Sequence, residues 1–234
     1  MLVIKDLTKT FKNAKKSTLC NVSLKVKKGE IFGLIGRNGA GKTTVIKCIT
    51  GILPFESGEI LIKKFDIKKD EIKAKSQIGY VPDNHDVYEN LTGNEYLNFM
   101  ADVYGIDKNQ REESINYYAN IFNMTEALNT QINAYSHGMR QKICIMGALV
   151  HNPSLWILDE PFLGLDTQSI KIFKKCIFNY TKDKKHTVIF SSHNLESVKE
   201  ICDRVCVIEK GVVKGNINMK TKTANKRLLK LLGD

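Results

Sequence analysis

Eight consecutive residues, Gly36-Arg37-Asn38-Gly39-Ala40-Gly41-Lys42-Thr43, constrain this chain more than any other part of it. They fit the pattern G-x-x-x-x-G-K-[ST], and the flanks supply the setting that this pattern needs. The apolar run Ile31-Phe32-Gly33-Leu34-Ile35 before it reads as a buried strand, and Val45, Ile46 and Ile49 after it share one face of a helix. Glycines at 36, 39 and 41 let the backbone curl until its N–H groups point inward, and the helix start adds the positive end of its dipole. Together they make a cradle for phosphate oxygens. Lys42 brings a cation to the outer phosphates of a nucleoside triphosphate, and the Thr43 hydroxyl can ligate Mg²⁺. The expected nucleotide contacts are Gly36, Asn38, Gly39, Ala40, Gly41, Lys42, Thr43 and Thr44.

A site that hydrolyses a nucleotide also needs another metal ligand and a group that orients water. Leu155-Trp156-Ile157-Leu158 reads as a strand through the core that delivers Asp159 and Glu160 at its carboxyl end. Ligands gather at that edge in open α/β sheets. Asp159 is expected to hold Mg²⁺, directly or through water, and Glu160 to act as general base. His193 follows a second such strand, Thr187-Val188-Ile189-Phe190, through Ser191-Ser192, where it can reach the terminal phosphate by a hydrogen bond.

The rest of the chain organises around these points. Val22, Leu24 and Val26 alternate with polar residues, the period of a half-buried antiparallel ribbon, and Glu59-Ile60-Leu61-Ile62 reads as another strand. Between about residues 84 and 150 the character is helical. Thr92-Gly93-Asn94-Glu95 has the form of a capping box ahead of Leu97, Met100, Ala101 and Tyr104. Ile115, Tyr118 and Phe122 keep helical period, and Met139, Ile143, Met146 and Val150 form a stripe that starts near Ser136. Strand and helix then alternate, and Glu209-Lys210-Gly211 suggests a hairpin. The basic tail from about residue 220 includes a short amphipathic helix near 225–232, expected to pack terminally rather than to anchor in a membrane.

The 234 residues suffice for one large domain, here expected over 1–234, and the formal charge of +11 comes almost wholly from lysines spread along the chain. That spread favours a solvated lysine surface over a base-reading one, and no nucleic acid is expected as a partner. The six cysteines lack metal-site spacing and read as buried free thiols of a reducing cytosol. The longest apolar stretch, Ile143 to Val150, is too short to span a bilayer, and the first residues lack the layout of a signal peptide, so a soluble, intracellular polypeptide is expected.

Taken in order, these motifs resemble the ATP-binding subunit of an ABC transporter over nearly the whole chain. The decisive element is Tyr135-Ser136-His137-Gly138-Met139-Arg140-Gln141, which is similar to the family signature at the entry of a helix. Its Ser136 hydroxyl and Gly138 N–H suit an anion at a helix N-terminus. The resemblance implies an α/β P-loop NTPase (RecA-like) core with an N-terminal antiparallel β lobe and an inserted α-helical lobe. It implies a dimer in which Ser136 and Gly138 cap the ATP held by the opposite subunit, and Gly164-Leu165-Asp166 couples the two sites. The implied ligands are ATP and Mg²⁺; the implied partners are a second ATP-binding subunit and a membrane-spanning permease on a separate chain, met by the helical lobe. The location implied is the cytoplasmic face of the cell membrane.

Phe11 falls where the family stacks an aromatic on adenine; the alternative is packing within the first strand. The phrase Ile78-Gly79-Tyr80-Val81-Pro82 and the signature are similar to those of the branch that serves exporters of drugs, peptides or antibiotics. Asp83 stands where the family usually has a metal-touching glutamine, and is expected to remain a metal or water ligand, the alternative being a solvated loop aspartate. His137 replaces a commoner glycine. A cytosolic ATPase of the same superfamily acting on nucleic acid or ribosomes is the competing reading, disfavoured by the absence of a long coiled coil or a second ATPase domain.

Overall fold

Two sheets divide the chain, and side-chain alternation decides which core each residue enters. The computed structural model describes residues 1–12 and 16–233; residues 13–15 of the expected N-terminal strand region, and residue 234 at the end of the expected domain and tail, lie outside the described residues. Strands β1 (Leu2–Lys9) and β2 (Leu19–Val26) pair antiparallel, and Val22, Leu24 and Val26 are buried on one face as their alternation predicts. Strand β3 (Ile31–Ile35) is buried throughout. Its Phe32 and Leu34 join one apolar core, while Ile31 and Ile35 join the other. The phosphate loop follows, then α1 (Lys42–Ile49). Strands β4 (Ser57–Ile62) and β5 (Phe65–Asp66) complete an antiparallel sheet of order β2-β1-β4-β5. The short α2 (Glu71–Lys75) has no counterpart in the sequence pattern because Ala74 is its one buried residue. Strand β6 (Ile78–Val81) closes the first half.

The helical insert holds α3 (Gly93–Val103), α4 (Lys108–Phe122) and α5 (His137–Leu149), with short 3₁₀ turns at Ala127–Asn129 and Ile132–Ala134. Its first helix starts at the expected capping box: the Thr92 hydroxyl accepts the Glu95 N–H, and the Glu95 carboxylate accepts the Thr92 N–H. Then come β7 (Leu155–Leu158), α6 (Thr167–Thr181), β8 (Thr187–Ser192), α7 (Leu195–Ile201), β9 (Arg204–Glu209), β10 (Val212–Asn218) and α8 (Ala224–Leu232). The β9–β10 hairpin turns on Lys210 and Gly211, both at positive φ (47° and 76°), as a tight two-residue turn requires. Helix α8 buries Ala224 and Leu228 and sets Leu231 against Gly215, so the basic tail packs on the body of the protein.

The second sheet has the order β10-β9-β3-β8-β7-β6, with β9, β3, β8, β7 and β6 parallel. The carboxyl ends of β3, β8, β7 and β6 therefore lie side by side. They carry, in that order, the phosphate loop, His193, the Asp159–Glu160 pair and Asp83. Five cysteines are buried free thiols, but Cys20 is exposed, because it points from the outer face of β2. No helix among the described residues is long and apolar enough to cross a membrane.

Candidate active site

The phosphate loop takes its shape from contacts that exclude side chains. A Cβ on Gly36 would stand 2.2 Å from the Ile208 carbonyl oxygen, so the loop can leave β3 only through glycine. Gly41 caps α1 at φ 106° and offers no side chain to the first amides of the helix, which stay available to an anion. Lys42 is almost fully buried; its Nζ donates to the Gly36 carbonyl at 2.9 Å and lies 3.3 Å from Glu160 Oε1. An open cleft of about 370 Å³ runs along residues 38–44, with Thr18, Asp83 and Glu160 at its rim.

Asp159 is fully buried at the end of β7. Its Oδ1 accepts the Ser191 hydroxyl, and Thr43 lies nearby at the start of α1. Burial pushes its pKa above the ordinary carboxylate value; the two hydroxyls oppose that, and the charges of Asp83 and Glu160 add to it. Its Oδ2 is buried without a hydrogen-bond partner among the described residues. An orphaned carboxylate oxygen beside a threonine hydroxyl, with Asp83 across the cleft, is a hard oxygen donor set that fits Mg²⁺. No three acidic, histidine or cysteine side chains among the described residues converge as a metal cage.

Glu160 is placed by its backbone. Its φ is +47°, and its N–H donates to Ser191 Oγ at 2.9 Å. The side chain then reaches between Lys42 and His193, whose Nδ1 lies 3.0 Å from Oε2. Ser191 thus ties the Asp159 carboxylate and the Glu160 backbone to the end of β8. Sequence reasoning passed over it as a spacer before His193, because its partners are 31 and 32 positions away.

The remaining expected residues divide. Asp83 is exposed and lines the cleft. Phe11 is 43 % exposed beyond the end of β1, so it is not packed within that strand's core, and it does not line the cleft. Ser136 caps α5, its hydroxyl oxygen accepting the Met139 N–H at 3.3 Å, and it is exposed. The space around Gly138 is open: beyond its own helix, a Cβ there would meet nothing nearer than Leu165, at 4.0 Å. Neither residue lines the cleft at the phosphate loop. Asp166 caps α6, its carboxylate accepting the amides of Gln168 and Ser169 at 2.9 Å each.

Residues 19–163 match the ABC transporter family, which is 145 of the 234 positions and includes the phosphate loop, the Ser136 turn and both carboxylates. The chain belongs to this family. The ABC ATPase is 35 % identical to the ABC transporter ATP-binding protein NatA of Bacillus subtilis, over 91 % of this chain and 87 % of that protein. It is 36 % identical to the linearmycin resistance ATP-binding protein LnrL of the same organism, over 95 % and 70 % respectively. A solved ATP-binding subunit of an ABC transporter superposes with a TM-score of 0.87 at 30 % identity, covering 100 % of this chain and 95 % of that one. The chain is accordingly the ATP-binding and ATP-hydrolysing subunit of an ABC transporter, and the α/β architecture expected from its motifs is the one observed. Transport, rather than action on nucleic acid, is the class to which the family and both relatives belong.

Proposed function

We propose that this ABC ATPase is a single ATP-binding domain at the cytoplasmic face of the membrane, working as one of two paired subunits to drive export of a small molecule or peptide through a separate permease. The observation that carries the reading is the meeting of Lys42, Asp159, Glu160 and His193 at three adjacent loops, while Ser136 and Gly138 of the same chain do not line that cleft. A site whose anion cap points elsewhere is completed by a second copy or a homologous subunit. There Ser136 and Gly138 would close over the nucleotide held by the other subunit's phosphate loop.

In this arrangement Gly36 and residues 38–44 bind the phosphates and Lys42 exchanges Glu160 for their oxygens. Thr43, Asp159 and Asp83 would hold Mg²⁺, which when bound would neutralise charge on the β- and γ-phosphates. Glu160 takes the proton of the attacking water as the bond from the γ-phosphorus to the bridging oxygen breaks. His193 orients Glu160 and the γ-phosphate. Phe11, exposed as an adenine-stacking ring must be, faces the base. The permease would seat on the helical lobe, where Phe99 and Val103 on α3 and nearby Tyr88 are exposed apolar side chains, the two rings meeting edge to face at 5.4 Å.

Export of an antibiotic-like cargo rests on the likeness to the linearmycin resistance protein. The test is to co-express the chain with a candidate permease and challenge cells with a panel of membrane-active antibiotics. Raised resistance that disappears with Lys42→Ala supports export. Unchanged sensitivity across the panel, with the ATPase still held at the membrane by that permease, argues against it.

A further inference from the structure

Helix α5 has a second anchored face besides the turn at Ser136. His137 and Gln141 are four residues apart and share one side of the helix, along the loop that follows Glu160. Gln141 is fully buried, which is rare for an amide, and its Nε2 donates to the Pro161 carbonyl at 2.7 Å. Three residues further on, Gly164 (φ +78°) lies beneath the His137 ring, where a Cβ would stand 2.8 Å from Nε2. The His137 ring also meets the buried His85 edge to face, with centroids 5.7 Å apart. The sequence places Gln141 in the signature element but gives no sign of its partner, and His85 carried no signal.

Glu160 needs such support. A residue with a side chain is uncommon at φ +47° and is held there by its surroundings. On the amino side, Ser191 Oγ takes the Glu160 N–H. On the carboxyl side, the Glu160 carbonyl accepts the Leu163 N–H at 3.2 Å, and Gln141 holds the next carbonyl, that of Pro161, at 2.7 Å.

We propose that Gln141 is a positioning residue for ATP hydrolysis. Holding the Pro161 carbonyl, it fixes the backbone of Glu160, and His137 braces the same loop from one turn earlier. The helix that presents Ser136 and Gly138 and the loop that carries Glu160 then move as one body, so engagement of a nucleotide at one end of α5 is felt at the carboxylate of the other site. This rests on the assignment of Glu160 as the base.

The test uses the full chain in steady-state and single-turnover MgATP hydrolysis. Gln141→Met keeps the volume and removes the donor; it is expected to lower kcat about tenfold with KM for ATP within about twofold. In a Glu160→Gln background the same change is expected to cause no further loss, because Gln141 acts through that carboxylate. Gln141→Glu can donate to Pro161 only when protonated, so its kcat relative to wild type at the same pH is expected to rise from about pH 8 to about pH 6. Should Gln141→Met not fold, His137→Ala on the exposed end of the helix is expected to give about a threefold, kcat-only loss with the same non-additivity. Wild-type kcat in these variants while Glu160→Gln is inactive, or an equal further loss in the double variant, overturns the proposal alone. Wild-type turnover in Glu160→Gln overturns the assignment of the base, and the proposal with it.

Discussion

Lys42 Nζ lies 3.3 Å from Glu160 Oε1, with both side chains largely buried. The proposed phosphate-binding cation and the proposed general base are thus each other's counterion in the ligand-free chain. Phosphate oxygens must displace the carboxylate from the lysine. With Glu160 as the proposed base, that would free it to face water, making binding of substrate and release of the base one exchange.

Removing the carboxylate charge should therefore separate binding from turnover. Glu160→Gln leaves Lys42 without its counterion but leaves the phosphate cradle intact. Its hydrolysis rate is expected to fall by ~10²-fold or more, the usual contribution of a general base. Its affinity for ATP is expected to rise by several-fold, measured by titration calorimetry, with an ATP-dependent dimer in light scattering. Weaker ATP binding in this variant would contradict the exchange.

Much of this site is legible in the sequence, and the part that is not has a physical cause. The glycines and Lys42 announce themselves because local backbone geometry dictates them. Asp159 and Glu160 do so because an apolar run must end where a parallel strand leaves the core. Ser191 gives no such sign, and Gln141 shows only as a member of the signature: each acts on a neighbour supplied by long-range pairing, Ser191 through the β7–β8 register and Gln141 across 20 residues to Pro161. Helix α2 is silent for a related reason, since a single buried alanine creates no periodicity.

Asp159 sets stability against function. Burial raises its pKa, so between the ordinary value of 3.8 and its raised value the folded chain holds more protons than the unfolded one. Stability contributed by this group therefore falls as pH rises through that window, and the ionised form is a liability at neutral pH. Asp159→Asn keeps an acceptor for Ser191 and removes the charge. The ligand-free variant is expected to melt about 2–4 °C higher, corresponding to about 1 kcal/mol in a chain of this size, while losing Mg²⁺-dependent hydrolysis. The melting difference should shrink as the pH is lowered towards the carboxylate range.

Asp83 faces the same cleft from the end of β6, and its charge helps to raise the pKa of Asp159. Replacing it by alanine relieves that repulsion but removes one oxygen donor. If Asp83 ligates Mg²⁺ or its water, the Mg²⁺ concentration for half-maximal ATPase is expected to rise about fivefold, on the order of 1 kcal/mol. Unchanged Mg²⁺ dependence and turnover in Asp83→Ala would remove it from the metal site.

Acid sensitivity should arise far from the nucleotide, at His151. Its ring stacks on Tyr104 with centroids 3.5 Å apart, and Nε2 lies 3.0 Å from the Ile78 carbonyl oxygen. That nitrogen carries the proton of the neutral ring, because a carbonyl can only accept. Burial pushes the pKa down from 6.5 to about 4, against the opposing pull of the carbonyl. Between these values the unfolded chain binds more protons than the folded one. Stability is therefore full above about pH 6.5 and lost as pH falls towards 4, by at most about 3 kcal/mol. His151→Gln retains a donor for Ile78 but cannot titrate, so it should be less stable than wild type at neutral pH, where the stacked ring is lost, yet decline less on acidification. Urea-unfolding midpoints taken from pH 7 to pH 4 measure this directly. The two curves should converge as the pH drops; a constant separation would assign the acid sensitivity to another group.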